Sequence, residues 1–513
     1  MKSQLKAGAV LSYVALFISS AISLIYTPIM LNLLGQSEYG LYSLATTAAG
    51  FVGVLNFGLG NAVIRYTAKY KTLKDEEGCY RLYGTFSLMY GVLGIIALAS
   101  GIILTLNSHQ IFSNSLSIAE VDKLVVLMWI MVINISLGIG SGLFSVIVLA
   151  HEKFIFQKVI SIASSILNPL IMLPLLFMGY GSISVAIVTT AINLITILVN
   201  TYYCFRVLRI KILFRKIEPD LLKEIIVFSS YLFLNLIIDK IYWSTDPFIL
   251  GIYSGTAAIS IYTIGVSFTG YFSGFSAAIS NVFLSKVTGM VTNEVSDKEI
   301  SDLFIRIGRV QYIILSFALS GFVVFGQEFI ILWVGKIYSS SFIIAIIILV
   351  PMIISLTQSM GIVILQAKNK HKFRSVVYFA LAIANVLLSI ILVQRWGAIG
   401  CALATAAAFT IGNIIIMNIY YWKKLNIAIP SFWKNIIYMS SPLIISILFG
   451  VTLNKLVLTD SWSFFIIKII VFSVVYSLLI WFAGMNCYEK DLFVVPFKKI
   501  IHRFSKGKLY KMS

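Results

Sequence analysis

Apolar runs of about twenty residues follow one another along this chain from near its first residue almost to its last. A helix needs ~20 mostly apolar residues to cross a bilayer, and in hydrocarbon its backbone N–H and C=O groups must be paired internally. That pattern predicts an all-α polytopic membrane protein. Fourteen transmembrane helices are expected, at 8–34, 40–63, 82–106, 124–150, 159–178, 182–205, 225–250, 257–284, 310–334, 342–366, 376–393, 397–421, 435–454 and 463–485. Only 12% of the 513 residues are charged, against about 25% in ordinary soluble domains, and the mean hydropathy is +0.96. The opening apolar run is too long for a signal-peptide core, so it is read as a retained first span.

The net charge of +19 raises the question of nucleic acid, and its distribution answers it. If the spans are threaded in turn, only Lys123, Lys336, Arg395 and Lys455 lie on the side opposite the N-terminus, and Lys240 and Lys468 lie within spans. Every other Lys and Arg falls on the N-terminal side. The positive-inside rule then predicts a multi-pass membrane protein with both termini in the cytoplasm. The basic loops are expected to meet anionic membrane lipids, with no role for nucleic acid. The longest outer loop, 107–122, is too short for a catalytic domain.

Cys79, Cys204 and Cys487 fall on the cytoplasmic side and Cys401 near the outer side, so no disulfide framework is expected. His109, His151, His371 and His502 are scattered without ligand spacing, and no metal site follows from them. No nucleotide-binding or hydrolase motif is present, so neither cofactor nor enzymatic activity is expected.

One span is out of character. The stretch EIIVFSSYLFLNLIIDKIYWSTDPFILG (224–251) carries Asp239, Lys240 and Asp246, each costing roughly 2.5–3.5 kcal/mol at a membrane centre. Tyr231, Asn235, Asp239, Trp243 and Asp246 recur at helical spacing and share one face. This face is read as lining a wet cavity; the alternative is an ion pair that only locks the bundle.

The chain also repeats itself. Gly35 and Gly255, Tyr42 and Tyr262, and Asn61 and Asn281 are each 220 residues apart, and GYGSISVAIVTTA (179–191) aligns with RWGAIGCALATAA (395–407). The expected domains are an N-lobe over 1–205, a cytoplasmic interfacial linker over 206–224, a C-lobe over 225–421, two further spans within 422–485 and a basic tail over 486–513. Two six-helix lobes entering the membrane in the same sense imply a pseudo-two-fold axis along its normal. Pro28 and Pro247 allow bending in the first and seventh spans.

The stretch 33–70, with Leu34-Gly35, Glu38-Tyr39-Gly40-Leu41-Tyr42, Phe57-Gly58-Leu59-Gly60, Arg65 and Ala68-Lys69-Tyr70, resembles the polysaccharide repeat-unit flippases of O-antigen, capsule and exopolysaccharide pathways. These belong to the multidrug/oligosaccharidyl-lipid/polysaccharide (MOP) transporter superfamily. Asp246, Leu250-Gly251, Gly255 and Tyr262 carry the same resemblance in the second half. It implies alternating access and an undecaprenyl-pyrophosphate-linked oligosaccharide moved to the outer leaflet, with polysaccharide polymerase or assembly proteins as partners. Asn56 stands where many relatives are expected to have a carboxylate.

Such a substrate needs cations for phosphate, aromatics for sugar faces and amides for hydroxyls. Lys240, Arg65, Arg306 and Arg309 are the candidate phosphate contacts, with Lys286 a further cation at the cytoplasmic mouth. Tyr231, Trp243 and Tyr242 are candidates for stacking, and Asn61, Asn235 and Asn281 for hydrogen bonding. Asp246 is a candidate for binding substrate and, with Asp239, for ion coupling. Lys468 is expected to snorkel or pair locally. A cation-coupled drug antiporter of the same superfamily is the nearest alternative, with a membrane polysaccharide polymerase behind it.

Overall fold

The computed structural model describes residues 2–214, 219–370, 372–457, 461–492 and 494, which form helices and turns with no strand. In chain order the helices are α1 (Lys2–Gly53), α2 (Leu59–Thr72), α3 (Glu76–Leu106), α4 (Ser108–Phe112), α5 (Ile118–Gly140), α6 (Gly142–Ala150), α7 (Phe154–Phe177) and α8 (Gly181–Tyr202). They continue with α9 (Pro219–Tyr253), α10 (Gly255–Thr292), α11 (Asp297–Val334), α12 (Ser341–Thr357), α13 (Met360–Ala367), α14 (Lys372–Phe409), α15 (Met417–Leu425), α16 (Ile429–Leu456) and α17 (Trp462–Leu479). Of the expected tail over 486–513, residue 493 and residues 495–513 lie outside the described residues, as do 215–218 of the expected linker.

Among the described residues, ten helical stretches are long and apolar enough to span a membrane, or up to eleven if the bent pair α12 and α13 makes one span. Two of the ten, Val14–Thr72 and Lys372–Leu425, each run through a glycine where the backbone leaves helical geometry. Gly35 does so at φ 77°, ψ 171° in α1, and Gly397 at φ 53°, ψ −131° in α14. Each of these stretches therefore contains two of the apolar runs counted in the sequence.

Helix starts follow local chemistry. Ser117 and Glu120 form a reciprocal capping box at α5, Asp75 accepts from the Gly78 N–H at α3, and Ser296 accepts from the Glu299 N–H at α11. These oxygens pair N–H groups that the first turn leaves without partners. Several turns pass through the left-handed region, and they recur along the chain. Gly35 and Gly255, Lys74 and Glu294, Glu152 and Asn369, Gly181 and Gly397, and Arg209 and Asn426 all have positive φ and lie 216–220 residues apart. The repeat in the sequence is thus also a repeat in backbone conformation.

The chain forms two compact units, Met1–Ile264 with Tyr378–Thr405, and Gly265–Val377 with Ala406–Ser513. Within the first, α1 packs Met30 and Leu34 against Met172 and Leu176 of α7 and Val185 and Val188 of α8. α3 lies close to α5: a Cβ at Gly94 would meet the Gly140 Cα at 3.0 Å. Within the second unit, rings of α11 meet rings of α16 and α17, as in Phe304 with Phe432 at 5.3 Å and Phe325 with Phe472 at 5.5 Å. Such pairs contribute about 0.5–1.5 kcal/mol beyond their buried area.

Candidate functional site

α9 is the helix with the polar face. Asn235 and Asp239 are exposed, and Trp243 is 37% exposed, so the upper part of the stripe reaches the molecular surface. Lys240, half-buried beside it, lies over the Phe51 ring at 5.8 Å. A Cβ at Gly50 would come within 2.5 Å of its Nζ, so the ammonium lies close against that glycine. The side chains of Tyr231 and Asn281 lie outside the described residues.

One α9 turn beyond Tyr242 the stripe goes inside. Asp246 is only 4% exposed. Its Oδ1 accepts from the Ser389 hydroxyl at 2.9 Å, and its Oδ2 accepts from Thr405 at 2.8 Å and from Tyr262. Asn385 reaches Thr405 Oγ1 at 3.4 Å, and the Tyr242 hydroxyl donates to the Thr405 carbonyl at 3.4 Å. Among the described residues no Lys, Arg or His pairs with this carboxylate. Three neutral donors satisfy its lone pairs without cancelling its charge. The atoms that hydrogen-bond to the carboxylate are all hydroxyl oxygens.

Asp246, a candidate for both substrate binding and ion coupling, is thus closed over by its neighbours in this structure. Ser389, Thr405 and Asn385 were not singled out in the sequence. Their signal was present in the four-residue spacing of Asn385 and Ser389, and of Cys401 and Thr405, which puts each pair on one helix face.

The expected cytoplasmic cations part company. Arg65 is exposed, with its guanidinium over the Phe228 ring at 4.7 Å, and Asn61 one turn earlier is exposed too. In the second unit, Arg306 is exposed over the Tyr488 ring at 4.5 Å, and Lys286 is exposed. Arg309 corrects the reading made of it. It is 6% exposed, its Nε and Nη2 donate to the two Glu489 oxygens at 2.6 and 2.9 Å, and the same guanidinium reaches the Gly484 carbonyl and Asn435. Four of its five N–H groups are thus taken and both prongs of the fork meet Glu489, so the bidentate face that would suit phosphate is already occupied. Lys468 pairs with Glu328 at 3.3 Å and donates to Asn454 at 2.8 Å.

The Glu38 and Gly40 of the EYGLY stretch prove structural. Glu38 accepts from Lys123 and from the Ser182 N–H, and a Cβ on Gly181 would meet its Oε2 at 2.8 Å. Glu120 accepts from Ser37 at 2.6 Å and Thr256 at 2.9 Å. Side chain and backbone at Gly40 leave no room for a Cβ beside the Thr256 carbonyl. No group of three or more His, Cys, Asp or Glu side chains able to hold a metal occurs among the described residues.

Residues 5–284 match the family model described as "Polysaccharide biosynthesis protein". A Shigella flexneri relative named "Putative O-antigen transporter" is 22% identical over 397 residues, covering 75% of this chain and 90% of that protein. The structure of "Lipid II flippase MurJ, inward closed conformation" is similar with a TM-score of 0.73 at 18% identity, covering 92% of this chain and 98% of that one. An inward-facing multidrug resistance MATE family transporter of the MOP superfamily is similar with a TM-score of 0.61 at 16% identity, covering 83% and 99%.

Proposed function

This chain belongs to the polysaccharide biosynthesis protein family, and we propose that it carries a polyprenyl-pyrophosphate-linked oligosaccharide from the cytoplasmic to the outer leaflet by alternating access. The observation that supports this most is α9: a membrane-length helix whose polar face is exposed along Asn235, Asp239 and Trp243 and ends on a buried carboxylate. A helix that met only lipid would not keep such a face. Fourteen spans, arranged as two six-helix lobes and two C-terminal helices with both ends in the cytoplasm, complete the reading.

The headgroup is the part that cannot cross hydrocarbon, while its polyprenyl tail stays in lipid. Lys240, Arg65 and Arg306 supply charge for the pyrophosphate in this reading. Trp243 and Tyr231 offer ring faces to sugars, and Asn61, Asn235 and Asn281 offer amides. A headgroup of charge about −2 moving outward gains roughly 5 kcal/mol per 100 mV of inside-negative potential. Asp246 is assigned as the ion-coupling group, since its oxygen surroundings let it gain or lose a proton or hard cation. Asp239 is the exposed second candidate. The outer-leaflet product passes to polymerase and assembly proteins.

Leaflet-resolved measurement of lipid-linked oligosaccharide in vesicles tests the proposal. Vesicles holding the protein should move the oligosaccharide across, and Asp246→Asn vesicles should move it at least about tenfold more slowly. Equal rates with and without protein would overturn the reading. The fold likeness to a MATE transporter favours one second reading, a cation-coupled antiporter of organic cations. Ion-driven efflux of a cationic dye from the same vesicles, without oligosaccharide movement, would select it.

A further inference from the structure

Two neighbouring helices of the first unit, α7 and α8, carry matching polar stripes. In α7, Gln157, Ser161, Ser164 and Asn168 follow one another at steps of four, three and four. In α8, Thr189, Asn193, Thr196 and Asn200 repeat those steps. Such spacing stacks side chains along one side of a helix. Exposed apolar residues fall on the opposite sides, Val159, Ile166 and Leu170 in α7 and Ile187, Leu194 and Leu198 in α8. In a bilayer those sides meet lipid, so the polar stripes are left facing protein or water.

The two stripes meet each other. Gln157 Nε2 donates to Asn200 Oδ1 at 2.6 Å, and further along the Ser164 and Thr196 hydroxyls lie 3.3 Å apart. Asn193 Nδ2 donates to Asn134 Oδ1 of α5 at 2.6 Å. Polar pairs of this kind can serve only to hold membrane helices together, and such a pair is shut in between them. Asn200, 2% exposed, fits that description. The rest do not: Asn134, Asn168 and Asn193 are half-buried, and Ser161 is exposed on the side of α7 turned away from lipid.

Hydrogen-bonding capacity remains there. The Asn134–Asn193 pair spends one donor and one acceptor, so Asn134 Nδ2 and Asn193 Oδ1 keep no protein partner among the described residues. Neither atom is sealed from the surface, and the same holds for the Asn168 amide. Pro169 follows Asn168 inside α7 and has no N–H, which frees the Ser165 carbonyl on the flank of the stripe. Irregular backbone of that sort is tolerated in a span where it faces protein or water.

The face is close to uncharged. α8 contains no Asp, Glu, Lys or Arg, and α7 contains only Lys158, in its first turn. A neutral amide both donates and accepts, as hydroxyl and acetamido groups do. It offers a pyrophosphate no counter-charge and a cation no carboxylate.

We propose that this face of α5, α7 and α8 binds the uncharged sugars of the transported headgroup, with Asn134, Asn168 and Asn193 as the residues that select them. The inference rests on the flippase reading and gives sugars and pyrophosphate separate places, the second being the cations Lys240, Arg65 and Arg306.

Full-length protein in phosphatidylcholine nanodiscs is titrated with undecaprenyl pyrophosphate, either bare or carrying the oligosaccharide repeat unit made by its own host, and the two Kd values are compared. The wild type should hold the glycosylated lipid about tenfold more tightly than the bare one. Asn168→Leu should weaken binding of the glycosylated lipid about fivefold, the loss of one neutral hydrogen bond, and leave the bare lipid unchanged. The paired change Asn134→Leu with Asn193→Leu should do the same at an unaltered Tm, because both partners of a hydrogen bond are removed together. Equal wild-type affinity for the two lipids, a loss shared by both lipids, or no loss in either variant would overturn the proposal and leave the flippase reading standing. A wild type that binds neither lipid, in vesicles that move no oligosaccharide, would remove the flippase reading and the sugar site with it.

Discussion

Asp246 and Arg309 are both buried ionisable side chains on long helices, and their surroundings treat them in opposite ways. Arg309 faces a carboxylate that takes both prongs of its fork, with an amide and a carbonyl completing the shell. Asp246 faces only hydroxyls. The first arrangement cancels a charge and the second merely solvates one. A cancelled charge has finished its work in holding helices together. A solvated one keeps a net field inside the bundle and stays open to whatever cation reaches it. The difference distinguishes the two sites more surely than burial does, since both groups are nearly inaccessible.

The sharpest way to break this comparison is to remove the Arg309 partner. Glu489→Ala should destabilise the protein by about 3–5 kcal/mol, the cost of leaving one member of a buried pair alone. It should be seen as loss of folded protein by fluorescence-detected size exclusion. The paired change Arg309→Met with Glu489→Leu should recover most of that loss and also retain polysaccharide export, if Arg309 touches no substrate. Thr405→Val comes next. It deletes one hydrogen bond to the Asp246 carboxylate and should cost about 1.5–3 kcal/mol in a thermal melt, with export reduced as well.

Gly181→Ala should cost about 1–2 kcal/mol, since φ is +65° there and Glu38 Oε2 stands 2.8 Å from the new methyl. Thermal midpoint and membrane abundance report it. The smallest structural effect belongs to Arg65→Ala. Its exposed cation–π contact with Phe228 is worth roughly 0.5–1 kcal/mol, so the melt should barely move while surface polysaccharide falls. A normal polysaccharide level in that variant would remove Arg65 from the headgroup path.

The helical plan was legible because hydrocarbon forces it: long apolar runs and the charge asymmetry of their loops follow from the solvent around them. The polar face of α9 was legible for a related reason, as Asn235, Asp239 and Asp246 stand out against Leu and Ile at helical spacing. The shell of Asp246 was not. Ser389 and Thr405 are small hydroxyl residues of a kind that also packs ordinarily between membrane helices, and nothing local tells which carboxylate they will meet. Arg309 misled because it follows a charged loop and reads as a surface charge. α11 begins at Asp297, however, and carries Arg309 well inside before it meets a glutamate 180 residues later. Span limits blurred at Gly35 and Gly397, where hydrophobicity continues but the backbone turns.

The lacing around Glu38 and Glu120 has a mechanical corollary. Through these two carboxylates, Lys123, Ser182, Ser37 and Thr256 tie together α1, α5, α8 and α10, on the rim that the proposed topology turns away from the cytoplasm. These ties hold four helices of the first unit to one another through part-exposed carboxylates, so high ionic strength should loosen that end of the unit before its apolar packing.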